Sequence, residues 1–211
     1  MVLSTAIVIL VFLIFNFRNR NVSGYKRIIN QKNEEIGALQ ATLLEKNKTL
    51  AFLPAHDTVT GLYNRNHMIQ RAEEEISRFH RFHTTASLIV IELTPVSDDR
   101  DSIEPSAKEE ALKAVATNCL NTVREVDVVS RFSGEQFIIL CPQTELNAAK
   151  NLADRLLDCI STHHSLVESF KTAMGLSELR ESEEFTEWFE RTMKALYQSK
   201  RQGYGNVTVA Q

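Results

Sequence analysis

The chain begins with a long hydrophobic segment and then becomes strongly polar. Residues 2–17 are apolar with only three polar interruptions. As a helix they would span about 25 Å, slightly less than the ~30 Å hydrocarbon core of a bilayer. No charged side chain precedes this run, and four basic residues follow it: Arg18, Arg20, Lys26 and Arg27. By the positive-inside rule, this order predicts an uncleaved transmembrane anchor, residues 1–17, with the remaining chain in the cytoplasm. A cleaved signal peptide and an interfacial or buried helix are the alternatives.

A seven-residue repeat marks the next segment, residues 18–54. The repeating apolar positions are Ile29, Ile36, Leu43 and Leu50. The companion positions, three residues after each of these, are Lys32, Leu39, Lys46 and Leu53, so the pattern is short and imperfect. It predicts a helical connector that pairs with a second copy as a parallel coiled coil and ends at Pro54. An amphipathic helix packed on its own domain is the alternative.

From residue 55 onward, helical and strand-like patterns alternate. Four segments have helical periodicity: Asn64–Phe82, Pro105–Val123, Leu146–Ile160 and Glu184–Ser199. Five runs are strand-like: Leu88–Leu93, Val126–Phe132, Phe137–Leu140, Thr172–Leu176 and Val207–Val209, the last as an edge strand. The apolar face of the second helix is assigned to Ala111, Leu112, Val115 and Leu120. A two-residue turn at Ser133-Gly134 closes a β-hairpin. Crossover helices around a central hairpin predict an α/β sandwich with a mixed sheet.

Composition and charge narrow the possible functions. The 211 residues are 43% hydrophobic and 24% charged, which is typical of a globular protein and excludes general disorder. Residues 1–54 carry a net charge of +4, whereas residues 55–211 carry −7. An acidic body binds nucleic acid poorly, because such binding depends on neutralising phosphates. The three cysteines, Cys119, Cys141 and Cys159, are far apart among apolar neighbours, which predicts buried thiols in a reducing compartment.

Three motifs carry a family resemblance. The predicted hairpin reads Arg131-Phe132-Ser133-Gly134-Glu135-Gln136-Phe137 and resembles the signature of GGDEF domains, the family of diguanylate cyclases. The segment from His56 to Arg65 resembles the opening motif of that family, and the segment from Ala195 to Gly203 resembles its closing motif. The resemblance covers residues 55–211. It implies a sandwich similar to the palm domain of nucleotidyl cyclases, in the cytoplasm of a bacterium beneath the inner membrane.

The resemblance also implies an activity, but the reactive positions differ. Similar proteins condense two GTP molecules into cyclic di-GMP across a homodimer, with carboxylates holding two divalent ions. Where the family has the two aspartates of a D-x-D pattern, the first of which binds metal, this chain has Glu92 and Thr94. Within the signature, Glu135 keeps a carboxylate, but Gln136 replaces a glutamate and Ser133 replaces a glycine. An amide is a weaker ligand than a carboxylate for a hard cation.

The family's substrate contacts differ as well. Arg100 and Glu109 occupy the positions of the Asn and Asp that recognise guanine, so the resemblance makes them a vestigial guanine pocket. Lys200 is retained as a phosphate contact, whereas Tyr204 replaces an arginine. These departures predict loss of catalysis, with no metal or cofactor expected. If the protein is active, Glu92 and Glu135 would hold Mg²⁺.

A second site of the family is retained. Many diguanylate cyclases bind their product at an inhibitory R-x-x-D site, and Arg124-Glu125-Val126-Asp127 matches it five residues before Ser133. Arg155 matches a further arginine from the helix after the hairpin. Arginines can bind phosphates and stack on guanine, and Asp127 can accept from the guanine edge. In the alternative interpretation, Asp127 caps its own turn and Arg155 is an ordinary solvated residue.

The sequence therefore predicts a single-pass, membrane-anchored, degenerate GGDEF protein. Its expected role is that of a cyclic di-GMP receptor, or of a dimeric module that binds an unidentified protein partner. A weakly active diguanylate cyclase is the alternative. Nucleic acid is not an expected partner.

Overall fold

The computed structural model describes residues 29–40, 42, 55–96, 104–162 and 170–210. The chain divides into two compact units, Met1–Leu53 and Pro54–Gln211. The predicted anchor over residues 1–17 lies outside the described residues. In the part of the chain that is described, no helix is long and apolar enough to cross a bilayer.

In the first unit, residues 29–40 form a helix. Its large apolar side chains, Ile29, Ile36 and Leu39, are all more than half exposed. Leu43, Leu50 and Pro54 lie outside the described residues. Coiled-coil pairing therefore stays a prediction.

The second unit alternates helices and strands. Its described helices are α1 (Arg65–Phe82), α2 (Pro105–Thr122), α3 (Leu146–Ser161) and α4 (Phe185–Arg201). Its described strands are β1 (Tyr63–Asn64), β2 (Ala86–Pro95), β3 (Val128–Ser133), β4 (Gln136–Pro142), β5 (Phe170–Glu178) and β6 (Val207–Val209). The sheet order is β1-β3-β4-β2-β5-β6. The outer pairs β1–β3 and β5–β6 are parallel and the inner pairs are antiparallel, which confirms the predicted mixed sheet.

Helices cover both faces of the sheet. Alternate residues of β2 point to opposite faces. Ile89 and Ile91 belong to a buried cluster with residues of α2 and α3, whereas Leu88 and Val90 belong to a second cluster with residues of α1 and α4. Helix α4 lies very close to the sheet at Gly175, where an added Cβ would come within 2.5 Å of the backbone of α4. The predicted sandwich is thus confirmed as three layers.

The signature hairpin turns one residue later than the sequence predicts. Ser133 pairs with Gln136, so the turn consists of Gly134 and Glu135. Gly134 has φ = +42°, in the left-handed region that glycine adopts at low cost. A register shift between Arg131 and Ser133 keeps Ser133 in the ladder. The predicted turn at Ser133-Gly134 is therefore wrong by one position.

Two residues that the sequence predicts to be buried are exposed. Leu120 is 58% exposed, because the buried spacing of α2 continues from Leu112 and Val115 to Cys119 instead. Cys159 is exposed, since it lies on the outer face of α3. Cys119 and Cys141 are buried as predicted, and burial raises the pKa of the Cys119 thiol to about 12.

Candidate functional site

The signature hairpin meets the end of β2. In the antiparallel register of β2 and β4, Glu92 lies opposite Gln136. The backbone N–H of Leu93 donates to the carbonyl oxygen of Glu135 at 3.1 Å. Opposite residues in a register project to the same face of a sheet. The topology therefore brings together Glu92, Glu135 and Gln136, which are far apart in sequence.

Both carboxylate oxygens of Glu92 are already bonded within the protein. Gln136 Nε2 donates to Glu92 Oε2 at 2.9 Å, and Lys200 Nζ donates to Glu92 Oε1 at 2.5 Å. Ser133 Oγ in turn donates to Gln136 Oε1 at 2.8 Å. The residues that replace a glycine and a glutamate of the family are thus hydrogen-bonded to each other. Together they link the hairpin, β2 and α4.

Glu135 forms a separate ion pair with Lys108, near the start of α2. Sequence reasoning did not identify Lys108, because it matches no motif and occupies a polar stretch of helix. Only the packing of α2 beside the hairpin places its ammonium group on Glu135. Each of the two carboxylates predicted as metal ligands is therefore neutralised by a lysine.

The two carboxylates that could bind divalent ions are both paired with lysines. Mg²⁺ is usually bound by one or two carboxylates together with waters and substrate phosphates, so an ion here would compete with two ammonium groups. Here the site offers two carboxylates, two ammonium groups opposing them and one neutral amide. Within the described ranges, no group of three or more His, Cys, Asp and Glu side chains is placed to share a metal ion.

The vestigial guanine pocket is seen only in part. Arg100 lies outside the described residues. Glu109 is exposed on α2, with Lys113 Nζ at 3.8 Å from Glu109 Oε2. Tyr204 has φ = +65°, and its ring centroid lies 5.7 Å from Lys171 Nζ. The assignment of Arg100 and Glu109 to a guanine pocket stays a prediction.

The R-x-x-D residues form the turn between α2 and β3. The Arg124 N–H donates to Asp127 Oδ2 at 2.8 Å, and the Asp127 N–H donates to the Arg124 carbonyl oxygen at 3.0 Å. Asp127 therefore caps its own turn. Its other oxygen, Oδ1, is buried without a hydrogen-bond partner in the described part of the chain. Burial raises the pKa of Asp127, although the hydrogen bond and charge of Arg124 oppose that change.

Arg155 is exposed on α3 and lies beside this turn. Its Nη2 donates to the carbonyl oxygen of Thr122, the last residue of α2, at 3.1 Å. The side chains of Arg124 and Asp127 also line a groove of about 340 Å³ that includes Tyr63. The structure thus places Arg124, Asp127 and Arg155 around one segment.

The opening motif is tied to the signature hairpin. Arg131 Nη1 donates to both oxygens of Asp57 at 3.2 and 3.3 Å, and Arg131 Nε donates to the Gly134 carbonyl oxygen at 2.9 Å. Burial by itself raises the pKa of Asp57. Hydrogen bonds from Thr60 and Arg131 nevertheless hold that pKa below its usual range. This contact fixes the start of the domain against the hairpin.

Comparison with known proteins supports the resemblance. Residues 54–206 match the family model described as diguanylate cyclase, GGDEF domain. The chain is 32% identical over 158 residues to the diguanylate cyclase DgcP of Pseudomonas aeruginosa, covering 73% of this chain and 24% of the relative. It is 24% identical over 172 residues to the probable diguanylate cyclase DgcC of Escherichia coli, covering 80% of this chain and 46% of the relative. The chain thus spans between a quarter and a half of these relatives' lengths.

Solved structures of similar fold agree. Diguanylate cyclase SiaD of Pseudomonas aeruginosa, in complex with its activator SiaC, superposes with a TM-score of 0.69 at 26% identity, covering 92% of this chain and 78% of that one. The GGDEF domain of DgcB from Caulobacter crescentus, in complex with c-di-GMP, has a TM-score of 0.67 at 20% identity. It covers 74% of this chain and 93% of that one, and it supports the fold alone.

Proposed function

The chain belongs to the GGDEF domain family, and on this premise we propose that it acts in cyclic di-GMP signalling without synthesising the dinucleotide. The observation that carries the proposal is the pairing of both candidate metal carboxylates with lysines. Glu92 pairs with Lys200 and Glu135 pairs with Lys108. A divalent ion would have to displace both ammonium groups, and it would meet an amide at Gln136 where the family resemblance implies a glutamate.

An assay of purified protein tests this proposal. Incubated with GTP and either Mg²⁺ or Mn²⁺, the protein should form no cyclic di-GMP above a heat-inactivated control. Glu135→Ala provides the matched variant, because it removes one candidate metal ligand at a half-buried turn position. Steady product formation that disappears in Glu135→Ala would instead support a weakly active diguanylate cyclase using Glu92 and Glu135.

A receptor role is favoured by the turn between α2 and β3. Arg124 and Arg155 provide two guanidinium groups near one segment, and Asp127 Oδ1 has no hydrogen-bond partner among the described residues. Guanine presents two N–H donors on one edge, which Asp127 Oδ1 can accept once the turn opens enough to expose this buried oxygen. This chemistry matches cyclic di-GMP, and the proposal is that the protein binds it here.

Calorimetric titration with cyclic di-GMP tests the receptor role. Arg124→Ala should weaken binding about tenfold to a hundredfold, since a charge-assisted contact contributes about 1.5–3 kcal/mol. Arg180→Ala, an exposed arginine after β5, is the control and should bind as the unmodified protein does. No binding at millimolar ligand would contradict the receptor role.

Asp127→Asn separates capping from ligand binding. The amide oxygen can still accept from the Arg124 N–H, so the turn is preserved. The amide nitrogen then replaces the unpartnered oxygen and presents a donor to the donors of guanine. Binding should weaken while the melting temperature changes little. Equal binding by Asp127→Asn would mean that Asp127 only caps the turn.

Anchoring through residues 1–17 and pairing through residues 18–54 complete the proposed arrangement. A protein that begins at residue 22 should dimerise at least about tenfold more tightly than one that begins at residue 55, because a coiled-coil seam buries apolar side chains. Light scattering at tens of micromolar measures the difference. Two equally monomeric proteins would favour a helix packed on its own domain. Recovery of a protein of residues 1–211 in the soluble fraction of cells would contradict the anchor.

A further inference from the structure

We propose that a groove between α1 and α4 is a docking site for a segment of a partner protein that carries a lysine or arginine next to a large apolar side chain. The groove has a volume of about 490 Å³. It lies on the sheet face covered by α1 and α4, and neither the candidate metal carboxylates nor the R-x-x-D residues line it. The proposal therefore stands independently of catalysis and of dinucleotide binding.

Three phenylalanine rings provide an aromatic wall. Phe132 of β3 and Phe189 of α4 have ring centroids 4.9 Å apart, and Phe185 stacks on Phe189 at 5.8 Å. Phe185 and Phe189 are only half-buried, so they present apolar surface to the groove. Ile69 and Ile76 of α1 also line it. Aromatic pockets of this kind accept the anchoring side chains of helical or extended peptides.

The charges of the lining residues specify the partner. Glu73 on α1 is exposed, and its carboxylate has no hydrogen bond or ion pair with any residue that the structure describes. Glu184, at the start of α4, adds a second carboxylate that caps the helix. The one basic lining residue, Arg65, has its guanidinium 4.7 Å above the Phe132 ring. The lining thus carries a net charge of −1, with an unpaired carboxylate beside aromatic surface. A cationic side chain next to an apolar one complements this combination.

Fluorescence anisotropy with a labelled amphipathic peptide of leucine and lysine tests the proposal. The matched control peptide has glutamate in place of every lysine. We expect the lysine peptide to bind and the glutamate peptide to bind at least about tenfold more weakly. Glu73→Gln should weaken binding of the lysine peptide several-fold. Glu110→Gln, an exposed glutamate of α2 on the opposite face of the sheet, should leave it unchanged.

Two further variants test the groove itself. Phe189→Ala should weaken binding about tenfold or more, as expected for an aromatic anchor. Ser77→Trp blocks the groove without removing a side chain from the core. Ser77 is an exposed residue that lines the groove, and the larger tryptophan side chain would fill it. It should abolish peptide binding and leave titration with cyclic di-GMP unaltered. The proposal is overturned if Ser77→Trp binds the peptide as the unmodified protein does, if the glutamate peptide binds equally well, or if Glu110→Gln weakens binding as much as Glu73→Gln.

Discussion

Replacing Lys200 by methionine tests whether the Glu92 network stabilises the domain. Removing one partner of a fully buried ion pair costs about 3–5 kcal/mol, because the remaining charge is left uncompensated. Here the side chains of Lys200 and Glu92 are 20% and 19% exposed, so the pair is only partly buried. Gln136 also continues to donate to Glu92. We therefore expect Lys200→Met to lower the free energy of unfolding by about 1.5–3 kcal/mol.

Thermal unfolding followed by circular dichroism measures the effect. For a domain of this size, the expected loss lowers the melting temperature by roughly 3–10 °C. Lys113→Met is the matched control, because Lys113 pairs with Glu109 at 3.8 Å with both side chains about half exposed. That variant should cost less than about 0.5 kcal/mol.

A double-mutant cycle with Glu92→Gln isolates the pair. A coupling energy below about 0.5 kcal/mol between positions 92 and 200 would refute the reasoning. Addition of Mg²⁺ gives a second check on the unmodified protein. If the ion pair with Lys200 prevents Glu92 from binding a metal ion, Mg²⁺ should leave the melting temperature unchanged. A clear rise that disappears in Glu92→Gln would identify Glu92 as a metal ligand.

Three further predictions follow from the fold. Gly175→Ala should destabilise the domain by at least about 1–3 kcal/mol in urea unfolding, because the new Cβ would lie 2.5 Å from the backbone nitrogen of Leu196. Stability equal to that of the unmodified protein would mean that α4 moves away from the sheet freely. The pKa of Asp57 is lowered in the folded state, so its contribution to stability should be present above the ordinary pKa of 3.8 and lost as the pH falls through the lower folded pKa. Asp57→Asn should flatten this part of the profile of stability against pH measured by urea unfolding, and an unchanged profile would contradict this prediction. A thiol reagent should modify only Cys159 in the native protein, because Cys159 is exposed whereas burial raises the pKa of Cys119 and Cys141. Rapid modification of the Cys159→Ser variant would contradict this prediction.

The sequence determined the order and type of the elements in the second unit. Short strand-like runs predicted every described strand of this unit except β1, and helical periodicity predicted its four described helices to within a few residues of their ends. β1 was missed because a two-residue strand is too short to show a period. The turn of the hairpin was misplaced because the bulge before Ser133 depends on pairing between strands, which local sequence does not show.

The residues of the candidate site likewise fall into those that the sequence identified and those that only the tertiary structure revealed. The motifs identified Glu92, Glu135, Gln136, Lys200 and the R-x-x-D residues, because these positions have fixed distances along the chain from recognisable sequence. Lys108 carries no such signal, and only the tertiary structure places it on Glu135. The same holds for the contact of Arg155 with Thr122, whereas the capping of the turn by Asp127 is a local contact that the sequence offered as an alternative. Local sequence sets which groups are available, whereas ion pairing depends on distances of a few ångströms between elements that only packing brings together.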